Sequence, residues 1–437
     1  MGSSSLAESR SPGNNEQGAA PNADPDEGAY FGVTSCRIAG YRADFGDCMR
    51  TKSCCDVLAL LILVVGGGAP PVVGQAAQNA TPPARLSGDA YPGAQWDQVQ
   101  PEAVGYSSAR LEALRAWVKV QATSSMMVVV QGRVIFTYGD VSHTSKVASV
   151  RKSVLDMLYG KYVFNGTVDI NKTVKDLGLD DKQPFYPMEE HATLEQLLAA
   201  RSCIYLPERE HPGSLPEWDQ GRFLPPRNSC YPGTQMVYNN WDFNAAGTAF
   251  EKLTHKNIYD ALRDDLAVPI GMQDYEVAKQ KKIEAPGTVH PEYAMYLSTR
   301  DMARLGLLML KSGKWNDKEL VPGDWVRYST SVITPFKDVH PMQMRNEAEP
   351  ERWGYGLLWW VWDAPANPGN IYAGFLQGAY SAMGTGGTFI TVLPSKDMVV
   401  VHQVDIDKDV RASVSPSSYI AMLSMIANAD CLGTCKD

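Results

Sequence analysis

The sequence predicts an α/β (α+β) fold: one antiparallel sheet built from the N- and C-terminal parts of the body, flanked by helices, with a mostly helical inserted subdomain. Three observations predict it. β-rich runs lie at 126–140 and return at 354–363 and 386–405, helical spacing and long polar loops occupy the stretch between, and no internal repeat is present. MMVVVQGRVIFTYGD (126–140) reads as a hairpin of two β-branched runs around Gln131-Gly132-Arg133. ASVRKSVLDMLYGKYV (148–163) has helical spacing, with Val150, Val154, Leu155 and Leu158 on one side. LEQLLAAR (194–201), Trp241–Leu253 and STRDMARLGLLMLKSG (298–313) repeat that spacing, the last ending at a Gly stop. Residues 203–233 hold several Pro and aromatic residues and read as a structured loop. GYGLLWWVWD (354–363) reads as one strand, and GGTFITVLPSKDMVVVHQVD (386–405) as a hairpin turning at Pro394-Ser395-Lys396-Asp397. A final helix is expected at 415–428. The sheet part thus covers about 100–163 and 330–437, and the insertion about 164–329.

Composition excludes several classes. Of 437 residues 44% are apolar and 20% charged, which is globular rather than collagen-like or disordered. With 40 basic and 49 acidic residues the net charge is −9, the wrong balance for neutralising phosphates, so no nucleic-acid partner is expected. The seven His are scattered and neither HExxH nor CxxC occurs, so no metal site is expected. No phosphate loop and no GxGxxG after a strand is present, and no cofactor is expected.

The N-terminus joins two kinds of segment. Residues 1–48 are rich in Ser, Gly, Pro, Asn and Asp and read as a disordered leader. Met49-Arg50-Thr51-Lys52, the apolar run VLALLILVV (57–65) and the small residues Gly74 and Ala76 form a secretory signal pattern over 49–76, followed by a linker at 77–99 and one domain at 100–437. Nine apolar residues are too few for a stable membrane span. The expectation is that translation starts at Met49 and that the protein is periplasmic or secreted. The alternative is a cytoplasmic protein in which 57–65 is only a short sticky segment. Cys203, Cys230, Cys431 and Cys435 lie beyond the leader, and two readings stay open: two disulfides or four free thiols.

The chemistry narrows by elimination. No GxSxG elbow is present, which argues against an α/β-hydrolase. Ser149-Val150-Arg151-Lys152 starts an apolar helix directly after a hairpin. The i to i+3 spacing stacks the Lys152 ammonium beside the Ser149 hydroxyl, and a helix N-terminus offers N–H groups to an oxyanion. Serine is a poor nucleophile until a base takes its proton, which lysine does when held neutral. The competing reading is an N-cap serine beside a solvated lysine. A second element is Tyr238-Asn239-Asn240 in PGTQMVYNNWDFNAAG. A tyrosine shuttles protons once a cation lowers its pKa from about 10, and an amide two residues on orients the lysine and binds a carbonyl. Against this stands a tyrosine that merely packs by its ring. A third is AMGTGGTF (382–389), where glycines allow close approach of backbone to substrate and an N–H to pair with that of Ser149. Its bland reading is a Gly-rich turn.

SVRK, YNN and the Gly-rich stretch, in this order, resemble the β-lactamase/penicillin-binding-protein superfamily of serine hydrolases. The Y-x-N element resembles the class C β-lactamase-like branch rather than an S-D-N pattern. LEQLLAARS, YLSTRDMARLGLLML and WGYGLLWW also read as family phrases, and the likeness covers about residues 100–430, closest in phrasing to 6-aminohexanoate-dimer (nylon-oligomer) hydrolases. One departure is Cys203, where the family usually has Gly. The resemblance implies Ser149 as acylated nucleophile, Lys152 as its base partner, Tyr238 as general acid/base and Asn240 as an amide contact. The third motif, usually Lys-Thr-Gly or His-x-Gly, matches either Ala382-Met383-Gly384 or Gly384-Thr385-Gly386, and the oxyanion N–H is that of Thr385 or Gly387 accordingly. In neither register is a basic residue present. The family's cation attracts a substrate carboxylate. Its absence implies a small-molecule ester or amide substrate rather than β-lactam or D-Ala-D-Ala turnover. Penicillin-binding, β-lactamase and transacylase activity remain the alternatives, and a catalytically silent binding module is the non-enzyme one.

Overall fold

The computed structural model describes Leu86, Gly88 and residues 90–206, 224–340, 352–364 and 374–431. The expected leader and signal segment therefore lie outside the described residues.

Helix α1 (Ser108–Lys119) is capped by Ser107, whose hydroxyl accepts from Arg110 N–H. Strands β1 (Ser125–Val130) and β2 (Arg133–Gly139) join through Gln131 and Gly132, both at positive φ (51° and 73°), the two-residue turn whose twist matches a hairpin. A short β3 (Thr144–Lys146) leads to α2 (Val150–Phe164), which is buried along most of its length. Next come α3 (Leu194–Leu198), with a Thr193/Gln196 capping box, and α4 (Asn240–Thr254). Then α5 (Ile258–Ala261) runs through a π-helical turn into α6 (Val268–Ile270). β4 (Lys281–Ile283) pairs with β5 (Glu292–Ala294), and β6 (Tyr296–Ser298) pairs with β3. α7 (Thr299–Leu310), the small hairpin β7 (Lys314–Trp315) and β8 (Lys318–Glu319), and α8 (Gly323–Ser329) follow. The chain closes with β9 (Trp353–Tyr355), β10 (Trp360–Trp362), β11 (Tyr380–Gly384), β12 (Thr388–Leu393), β13 (Met398–Gln403) and α9 (Pro416–Ala429).

Seven of these strands make one antiparallel sheet in the order β2-β1-β13-β12-β11-β10-β9, so the sheet does come from both ends of the body. Its centre is covered on both faces. On one, α7 lies so close that a Cβ on Gly306 would sit 2.5 Å from Val399 Cγ1. On the other, Tyr419 of α9 stacks on Phe389 at 4.2 Å and donates to Thr391 Oγ1 at 2.8 Å. Every residue of β1, β12 and β13 is consequently buried, which is why these strands read as unbroken β-branched runs rather than as alternating patterns.

One expected strand is two. The 354–363 phrase forms β9 and β10, which pair with each other, Trp360 opposite Tyr355. The reversal between them needs close approach and a left-handed residue. A Cβ on Gly356 would sit 2.2 Å from Ser329 O, and Leu358 adopts φ 60°. An uninterrupted aromatic run hides such a bend from any reading based on periodicity.

Candidate active site

Ser149 ends the β3–α2 connection as the N-cap of α2, and its side chain makes no capping bond, which leaves the hydroxyl available. The residue before it, Ala148, sits at φ 47°, a left-handed conformation disfavoured for a residue with a Cβ. One turn on, Lys152 is 1% exposed, and its Nζ meets three oxygens: it donates to Ser149 Oγ at 2.9 Å, Tyr238 Oη at 2.7 Å and Asn240 Oδ1 at 2.7 Å. The same nitrogen lies 4.4 Å from the ring centres of Tyr238 and Phe243.

The Tyr238-Asn239-Asn240 segment is shaped by a cap. Asn239 is extended, and its Oδ1 accepts the Asp242 N–H at 3.0 Å, which starts α4 at Asn240 and places Tyr238 just ahead of the cap. Tyr238 is 5% exposed, donates its backbone N–H to His340 O at 2.8 Å and stacks on Trp360 at 5.5 Å. Asp242, fully buried behind this segment, accepts from Ser202 Oγ, and burial raises its carboxyl well above the ordinary range.

Of the glycines in the third element, Gly384 is the one that abuts Ser149. A Cβ there would meet Val147 O at 2.5 Å and Ser149 N at 3.4 Å. Gly386 (φ 87°) and Gly387 (φ 104°) instead pack against Ile406 and Val414. Ala382-Met383-Gly384 is thus the register whose glycine touches the head of α2, with Thr385 next and half-exposed. Ala382 is fully buried. The turn is held from behind by His402, whose ring Nδ1 lies 2.6 Å from Gly387 O. Burial pushes the His402 pKa down to about 4, which keeps the ring neutral, and a neutral ring donates one proton and accepts elsewhere.

Several residues around this cluster carry no local sequence signal. Arg151, beside Lys152 but buried on another side of α2, donates Nη2 to Asn244 Oδ1 at 2.7 Å and places its Nε 3.6 Å from Glu292. Burial would raise the Glu292 carboxyl, but Arg151 and Lys146 hold it below its ordinary value. Asp156, one turn beyond Lys152, accepts from Trp359 Nε1 at 2.8 Å, and burial pushes its pKa up to about 8. Trp360 and Phe243 became site residues only through tertiary packing. Cys203 takes φ 58°, where the resembled family has Gly, and is disulfide-bonded to Cys230, so the two-disulfide alternative holds for this pair. Cys431 is disulfide-bonded too, while Cys435 lies outside the described residues. Among the described residues no group of His, Cys, Asp and Glu could hold a metal ion.

A model of the family described as Beta-lactamase matches residues 116–413. The chain belongs to the beta-lactamase family. The seven-stranded sheet with helices on both faces is the fold of this beta-lactamase/penicillin-binding-protein-like serine hydrolase superfamily. Among solved structures, the beta-lactamase-family chain is similar to a protein named as a 6-aminohexanoate-dimer hydrolase from Bacillus anthracis (21% identity, TM-score 0.51, covering 79% of this chain and 88% of that one). It is also similar to a family VIII carboxylesterase (15% identity, TM-score 0.52, covering 77% and 99%). An uncharacterized protein of Alkalihalophilus pseudofirmus is 31% identical over 108 residues, 25% of this chain and 29% of that relative's length.

Proposed function

We propose that this protein is a serine hydrolase of the class C β-lactamase-like branch that cleaves ester or amide bonds of small substrates through an acyl-enzyme on Ser149. The observation that carries the reading is the Lys152 nitrogen, buried and within hydrogen-bond distance of Ser149 Oγ, Tyr238 Oη and Asn240 Oδ1 at once.

In this mechanism Ser149 Oγ attacks the substrate carbonyl carbon as its proton passes to Lys152, the base partner. The tetrahedral oxyanion is received by the backbone N–H groups of Ser149 and Thr385, which flank the Gly384 contact. Tyr238 relays the proton to the leaving oxygen or nitrogen as the bond to carbon breaks, giving an ester on Ser149 and a free alcohol or amine. Water then attacks that ester, its proton returning through Tyr238 and Lys152, and the acid leaves. Asn240 orients Lys152 and contacts the substrate carbonyl. The third motif offers Ala382 and Met383 where the family has a cation, which favours neutral ester and amide substrates over β-lactams.

Intact-mass spectrometry after exposure to a fluorophosphonate, a p-nitrophenyl ester and a penicillin tests the reading. A fluorophosphonate adduct on Ser149, ester turnover and no persistent penicilloyl adduct are expected. A persistent penicilloyl adduct would make it a penicillin-binding protein, and no adduct with any probe a silent binding module. We also propose export through the 49–76 segment. The Cys203–Cys230 disulfide supports an oxidising compartment, and among the described residues no helix is long and apolar enough to cross a membrane. Mass spectrometry of the mature N-terminus decides this, since a chain starting near Met1 would contradict export.

A further inference from the structure

Helix α2 carries, directly after Lys152 and one turn beyond it, two polar side chains with no part in the chemistry proposed above. Ser153 Oγ donates to Leu358 O at 2.6 Å, and Asp156 Oδ2 accepts the Trp359 indole N–H at 2.8 Å. Both are buried, Asp156 completely. The backbone oxygen of Asp156 also accepts from Trp325 Nε1 at 3.0 Å. Among the described residues no basic side chain pairs with Asp156. A buried carboxyl without a cation costs free energy that an apolar residue would avoid. Its side-chain hydrogen bond to the Trp359 indole is therefore a feature to be explained.

What these bonds hold is the tight reversal between β9 and β10. Leu358 sits there at φ 60°, tied on its other side by its N–H to Leu198 O at 3.0 Å. Two residues along is Trp360, whose ring stacks on Tyr238 at 5.5 Å with an interplanar angle of 26°. Tyr355, opposite Trp360 in the β9–β10 pair, meets both rings edge-on, at 5.9 Å from Tyr238 and 5.0 Å from Trp360. Phe243 closes a further side at 4.8 Å. The helix that presents Ser149 and Lys152 thus also anchors the strand pair that walls in Tyr238.

We propose that Ser153 and Asp156 are positioning residues that fix Trp360 against the Tyr238 ring and so set the phenol oxygen beside Lys152. This rests on the reading of Tyr238 as proton carrier. Displacing a proton-transfer group by a fraction of an ångström lowers turnover with little effect on substrate binding.

The test uses the purified full-length protein, p-nitrophenyl ester turnover and the rate of fluorophosphonate labelling. Trp359→Phe keeps an aromatic ring and removes the indole N–H, and Asp156→Ala removes its acceptor. Each should lower kcat by about tenfold with KM changed by less than about twofold, labelling slowing in parallel. Asp156→Asn keeps an oxygen acceptor and should retain activity within about twofold of the parent. In a Tyr238→Phe background, Trp359→Phe should cost nothing further, because the two changes act on one step. The same tenfold loss in that background would overturn the positioning role while leaving Tyr238 as proton carrier. A rise in KM at unchanged kcat, or Asp156→Asn as impaired as Asp156→Ala, would overturn it as well. Normal turnover in Tyr238→Phe alone would refute the reading beneath it, and the positioning role with it. If Asp156→Ala does not fold, Trp359→Phe and Asp156→Asn still decide the question.

Discussion

Lys152 is the residue on which the site converges, because a single nitrogen meets one oxygen from the head of its own helix and two from the Tyr238-Asn239-Asn240 segment. Ser149→Ala removes one of those oxygens from a side chain that caps nothing, so turnover should vanish while thermal stability stays near the parent value. Retained hydrolysis would refute the nucleophile. Tyr238→Phe keeps the ring and its stacking on Trp360, and should slow turnover by about 10²–10⁴-fold through loss of proton transfer. A normal rate would leave Tyr238 as a packing residue. His402 makes a pH prediction. Its pKa is lowered from 6.5 to about 4, so the unfolded chain binds a proton at higher pH than the native one. Its contribution to stability is present above about pH 6.5 and is lost as pH falls towards 4, amounting to ~3 kcal/mol. His402→Asn keeps a donor for Gly387 O without the titration. Urea unfolding from pH 7 to 4 should therefore fall less steeply in that variant. Parallel curves would show that His402 does not carry this dependence.

At the level of elements, the site lies where the head of α2 meets the end of β11. Gly384→Ala would push a methyl group to 2.5 Å from Val147 O, and the backbone must shift. A displaced Ser149 N–H no longer matches the oxyanion, and kcat should fall by about 10²-fold. Unchanged kcat would mean that this contact does not shape the oxyanion site. The runs at 126–140 and 386–405 and the helices from 150, 299 and 416 were readable because residue type and spacing decide them locally. The 354–363 stretch was not, since its reversal depends on Gly356 pressing on Ser329 O and on a left-handed Leu358. Ser149, Lys152 and Tyr238 stood out as motif residues. Asp156, Ser153 and Trp360 had no such signal, because their roles exist only between elements.

For the molecule as a whole, the Cys203–Cys230 disulfide links positions 27 apart in sequence and packs with Tyr205 and Val237, the residue before Tyr238. Constraint of the unfolded chain by a loop of this size is worth about 3 kcal/mol. Replacing both cysteines by serine should lower the urea-unfolding free energy by about that amount, and an unchanged midpoint would contradict it. Hydrophobic spacing and short motifs are local properties, and for that reason the fold class, the strand-rich ends and the motif phrases are legible in the sequence. Which glycine abuts Ser149, which aromatic ring supports Tyr238 and how Lys152 is shared among three oxygens were decided only by the tertiary structure. Those contacts join residues far apart in the chain, and their distances are set by how helices pack on the sheet rather than by any neighbouring residue.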